Sequence, residues 1–163
     1  MFRYGCCVVV MLTAVGCGSS GSGSCSVSAL TCGAVLPASQ LMSLEPMATG
    51  YTESGALPCM WTLPSSSGGN FQVVCGDATV FMQQVDMVMT MYPSANIFAT
   101  DTIGKKSTEI SQGAPMTDGS FAEIVALSKN GKYVFTVQLQ NAAADIAQVR
   151  PLAMAIDTQL SMK

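Results

Sequence analysis

The chain reads as an α+β domain, an antiparallel sheet of two hairpins with helices packed on one face and disulfides bracing it. Three observations predict this. Two stretches place turn-forming residues between β-prone runs, at residues 58–75 and 121–140. Three others repeat apolar residues at helical spacing or carry proline punctuation. Four cysteines, Cys25, Cys32, Cys59 and Cys75, lie among these elements. Runs of strands and helices that do not alternate regularly favour segregated α+β layers over a parallel α/β sheet.

The elements follow in order. In LPASQLMSLEP, Pro37 opens and Pro46 closes a short helix with Leu41 and Leu44 on one side. PCMWTLPSSSGGNFQVVC reads as two strands joined by a loop around Ser65 to Asn70. Asp77 is an N-cap and Pro93 a terminator for a helix whose stripe is Phe81, Val85, Val88 and Tyr92. Residues 94–120 are rich in Ser, Thr, Gly and Asp, with a strand near Ser107 to Ser111. Asn130 and Gly131 then sit between β-prone runs, a pattern that predicts a type I′ hairpin flanked by solvated Lys129 and Lys132. From Asp145 to Leu160 a last helix places Ile146, Val149, Ala153, Ile156 and Leu160 together, and Pro151 must kink it or mark a later start.

Ahead of this domain the chain changes character at one thiol. Arg3 and the amino terminus precede about ten mostly apolar residues, Cys6 to Val15, the layout of a secretion signal too short to span a bilayer. Gly18 to Ser24 read GSSGSGS, a coil with a reach of roughly 15 Å. With Ala14, Val15 and Gly16 before Cys17, the stretch resembles a bacterial lipoprotein leader, although that motif prefers leucine where Ala14 stands. The resemblance implies cleavage before Cys17, a diacylglycerol on its sulfur and a third acyl chain on its new amino group. Three chains make anchoring effectively irreversible where one is marginal. The expected organisation is therefore a signal peptide at 1–16, a lipidated cysteine and tether at 17–24, and one domain at 25–163. Gly18 stands where an aspartate commonly retains lipoproteins at an inner membrane, so a host with two membranes would place the anchor in the outer one.

Of the seven cysteines, Cys6 and Cys7 leave with the leader and Cys17 takes lipid. The remaining four suggest two disulfides outside the cytoplasm, with three possible pairings. A hairpin centred on Ser67 sets Cys59 opposite Cys75, Trp61 opposite Val73 and Leu63 opposite Phe71. It therefore favours Cys59 with Cys75 and leaves Cys25 with Cys32. Such a bridge across about 17 residues contributes about 3 kcal/mol. A CxxC spacing that would suggest structural zinc is absent.

The domain is also similar to small lipoproteins of uncharacterised function best represented among actinobacteria. The shared features are Cys32 before a Pro/Ala/Ser-led helix, the CMW of Cys59 to Trp61, the IG of Ile103 and Gly104, and a closing hairpin and helix. Lys105 stands where those proteins often carry an acidic residue. The resemblance implies a compact α/β sandwich of PsbP-like form, no assigned reaction, and a bond between Cys32 and Cys59.

The 163 residues contain no histidine, removing the commonest general base and metal ligand. Lys and Arg number 7 against 10 acidic residues, so nucleic acid is not an expected partner. In MVMTM, Met87, Met89 and Met91 suggest a thioether site for Cu(I). Alternate positions on a helix diverge, however, so core padding is the expected role, with Met82 and Met89 on one flank and Met87 and Met91 on the other. IGKKST lacks the first glycine of a phosphate loop, Ala99 standing in its place, and no GxSxG occurs. Glu109 and Glu123 could meet across strands as a glycosidase-like dyad, but solvated strand-face charges are expected. Trp61 is expected to be buried rather than to line a ligand groove. The combined expectation is a non-catalytic binding module of the cell envelope without a cofactor. It would meet the membrane through its lipid and either an envelope protein or a small apolar ligand; the alternatives are a carrier of such a ligand or lipid and a Met-based Cu(I) binder.

Overall fold

Strand β5 (Phe121–Leu127) is apolar except at Glu123 and buried throughout, and β6 (Tyr133–Gln140) is buried at every position except Thr136 and Gln140. A strand buried on both sides must be covered on both sides. The computed structural model, which describes residues 25–52, 57–63, 67–100, 102–114, 117, 119–141 and 144–163, satisfies that demand with helices on each face. The chain order is α1 (Cys32–Val35), α2 (Ala38–Leu44), β1 (Cys59–Leu63), β2 (Ser67–Cys75), α3 (Ala78–Met91), β3 (Asn96–Thr100), β4 (Lys106–Gln112), β5, β6 and α4 (Ile146–Ser161). The strands form one six-stranded antiparallel sheet in the order β1-β2-β6-β5-β4-β3. The expected α+β class holds. The sheet carries two strands more than two hairpins supply, and its helices divide between the faces instead of sharing one.

On the first face, α1, α2 and α4 pack Val35, Leu36, Leu41, Val149, Leu152 and Ile156 against Trp61, Phe71, Phe135 and Val137. On the second, α3 lays Phe81, Val85 and Val88 over Ile110, Phe121, Val125 and Leu127, with Tyr92 stacked on Phe121 at 4.0 Å. The predicted α3 cap is in place, and α4 carries one of the same kind. Asp77 accepts from the amides of Thr79 and Val80, and Asp145 from that of Ala147. Helix α4 starts at Ile146 and runs through Pro151, which is exposed.

The hairpin pairing of the cysteines is corrected. Strand β1 registers with β2 as Cys59↔Phe71, Trp61↔Gly69 and Leu63↔Ser67, four positions away from the expected Cys59–Cys75 pairing, and Cys75 lies beyond the end of β1. Glycine sets this register. A Cβ on Gly69 would fall 2.2 Å from the Trp61 ring, so the indole lies in space that only glycine leaves open. The disulfides are Cys25–Cys75 and Cys32–Cys59, with Cα separations of 5.7 and 5.6 Å. One bolts the start of the domain to the end of β2, and the other ties α1 to β1.

The β5–β6 turn also departs from expectation. Gly131 has a φ of 74°, but Asn130 does not take the positive φ that a type I′ turn requires. Its amide group is used for docking instead. The oxygen accepts from Ser128 and from the Lys132 amide, while the nitrogen donates to the Leu160 carbonyl at the end of α4. Asp157 of α4 accepts from the Lys129 amide in return. Gly104, part of the rejected phosphate-loop pattern, has a φ of 66° and is pressed against the Leu127 carbonyl, where a Cβ would clash at 2.0 Å.

Candidate functional site

The two carboxylates considered for catalysis sit one strand apart and point to opposite faces. Glu109 pairs in register with Ile124 and Glu123 with Ile110, so alternation along the strands sends them to opposite sides and they form no dyad. Neither is the solvated charge expected from sequence; their relative exposures are 4% and 7%. Glu109 reaches α4, where Arg150 holds it from both sides, Nε to Oε1 at 2.6 Å and a terminal nitrogen to Oε2 at 2.8 Å. Those hydrogen bonds, and then the opposite charge of Glu109, raise the Arg150 pKa further.

This clasp is one-sided in burial, because the Arg150 side chain is 48% exposed while that of Glu109 is 5% exposed. Replacing Arg150 by Met leaves a buried carboxylate without its counter-charge. The expected cost, reduced for the half-exposed guanidinium, is about 2 kcal/mol in urea unfolding. The double variant Glu109→Gln with Arg150→Met is expected to regain part of it.

Glu123 has no such partner among the described residues. Its neighbours along β5 are Phe121 and Val125 and its cross-strand neighbour on β4 is Ile110, all members of the α3 cluster. On its other side lies Gln138, whose oxygen accepts from Asn70 and Gln140. Removal from water pushes the Glu123 carboxyl up to about 7. A carboxyl with that pKa is fit to carry a proton near neutrality, but its surroundings are an apolar cluster and a row of amides. Among the described residues no group of three His, Cys, Asp or Glu side chains could hold a metal ion.

The surface is more distinctive than these carboxyls. Trp61 is buried, as expected, at 2% exposure. The methionines reverse expectation. All nine in the described residues are exposed, from 37% at Met87 to 67% at Met162, and none pads the core. Helix α3 does separate Met87 and Met91 from Met82 and Met89, but it turns all four to solvent.

The second feature is strand β3, which lies within the stretch expected to be irregular. It forms one edge of the sheet, its residues Asn96 to Ala99 are exposed on both faces, and it contains neither charge nor proline. Phe98, at 61%, is the only exposed aromatic side chain among the described residues. The opposite edge is treated differently. There Tyr51 bridges to Trp61, and the Thr52 amide donates to the Met60 carbonyl at 2.9 Å, so part of the outer side of β1 is already paired. An edge without a charge or proline, and uncovered among the described residues, offers its free backbone groups to another strand. The signal available in the sequence was the β-prone core of NIFAT, bounded by Pro93 and Gly104.

Cys17 and its tether lie outside the described residues. Among the described residues no helix is long and apolar enough to cross a membrane. No family model, curated protein or solved structure matches the chain.

Proposed function

We propose that the protein is a lipid-anchored, extracytoplasmic interaction module, held to the membrane through Cys17 and acting by binding an envelope protein, without catalysis. The observation that carries the binding reading is the open β3 edge with Phe98 upon it. Added strands gain backbone hydrogen bonds along such an edge, and a side chain like Phe98 supplies specificity. Two disulfides support a location outside the reducing cytoplasm. The first disulfide cysteine, Cys25, follows the Gly/Ser tether directly, so the anchor would pull on the sheet and not on a loose terminus. A surface role is favoured over a carrier role because Trp61, Phe71, Phe135, Leu36 and Leu41 occupy the space between sheet and helices.

A photo-crosslinking residue at Ile97, activated in intact cells, tests this. The expected result is a discrete light-dependent adduct with an envelope protein that disappears when Phe98→Lys is added. Absence of any adduct, or an adduct indifferent to Phe98→Lys, contradicts the reading.

A further inference from the structure

Methionine is normally among the more buried residue types, yet this chain holds 12 and exposes all nine that are described. Both cores are built instead from Leu, Ile, Val, Phe, Tyr, Trp and Ala, with cysteines bound in disulfides. Sulfur is thus partitioned by chemistry, with oxidisable thioethers outside and the described cysteines already oxidised. We propose that the methionine surface, densest on α3 at Met82, Met87, Met89 and Met91, is a sink for two-electron oxidants of the hypohalous acid class. The proposal rests on the extracytoplasmic placement above for its cellular role and is independent of the β3 edge.

The net step with hypochlorous acid balances simply. A sulfur–oxygen bond forms as the oxygen–chlorine bond breaks, the thioether loses two electrons to become a sulfoxide, chlorine leaves as chloride, and the proton goes to water. A sulfoxide is polar and disrupts packing where methionine lines a core. Here each described methionine is already exposed and none belongs to an apolar cluster, so oxidation leaves both clusters intact. On α3 the buried stripe of Phe81, Val85 and Val88 contains no sulfur, so all four methionines can be oxidised while the helix stays seated.

The test has two arms. Purified protein with its disulfides formed is titrated with hypochlorite and followed by intact mass, peptide mapping and near-ultraviolet circular dichroism. The expected result is stepwise gain of one oxygen per methionine, with sulfoxides mapped at all nine described methionines, Trp61 unmodified and the dichroism unchanged. Loss of the dichroism before that point, or attack on Trp61 ahead of the methionines, overturns the proposal whatever the location of the protein. In cells, the chain carrying Met82→Leu, Met87→Leu, Met89→Leu and Met91→Leu, shown to be folded by the same dichroism, is compared with wild type. Lower survival after a hypochlorite pulse is expected, together with sulfoxides on the wild-type α3. Equal survival, or an unoxidised wild-type α3, removes the role as a sink.

Discussion

At pH 8, Glu123→Gln is expected to be more stable than wild type by about 3 kcal/mol, while at pH 4.5 the two unfold alike. Desolvation raises the folded pKa of Glu123 from 4.5 to about 7, so the folded chain binds more protons than the unfolded chain between those values. Wild-type stability therefore falls as pH rises through that window and levels off above it. Glutamine keeps the shape and removes the titration. Glu45 contributes with the same sign, since burial raises its pKa too; it is present in both proteins and cancels in the comparison. For a domain of this size the gain corresponds to a rise in unfolding midpoint on the order of 10 °C at pH 8. Equal midpoints at pH 8 would show that Glu123 is solvated, and that α3 does not close over the sheet.

Replacing Cys32 and Cys59 together by serine is expected to cost about 3 to 4 kcal/mol in urea unfolding. That bridge closes a sequence separation of 27, and Cys25 with Cys75 closes 50 and should cost slightly more. Each loss is a large part of the 5 to 15 kcal/mol typical of a folded domain. The expected structural effect is release of α1 and α2 from the sheet, because α1 is tied to β1 by that bond. Peptide mapping without reduction should recover the Cys25 peptide joined to that of Cys75. A Cys59–Cys75 peptide would mean a different β1–β2 register.

The error in that register shows what sequence could and could not reveal. Gly68 and Gly69 look like loop residues, and counted as loop they move the turn centre to Ser67. In the fold they belong to β2, and Gly69 is small because Trp61 lies over it. Such a contact between positions eight apart leaves no periodic trace. Helices α3 and α4 were legible because each buries one stripe and begins at an aspartate whose carboxylate caps it. Strand β3 was not, because exposure on both faces removes the alternation by which a strand is read. Asn130 was read for its backbone preference, whereas its side chain joins the hairpin to α4, a partner thirty residues away. Methionine departs furthest from expectation. Its hydrophobicity suggested padding, but nothing in the pattern on α3 distinguishes the flanks of the buried stripe from the stripe's own neighbours. The site is correspondingly less legible than the fold, since it lies in exposure and in an unpaired edge, neither of which has a residue signature.

The proposal as a whole depends on where the mature chain begins and what its first sulfur carries. Intact mass spectrometry of unreduced protein extracted from the membranes of producing cells measures both at once. The account predicts a chain starting at Cys17, heavier by its acyl groups and lighter by the four hydrogens lost to two disulfides. A chain that retains residues 1–16, or one that begins elsewhere and bears no acyl group, contradicts it.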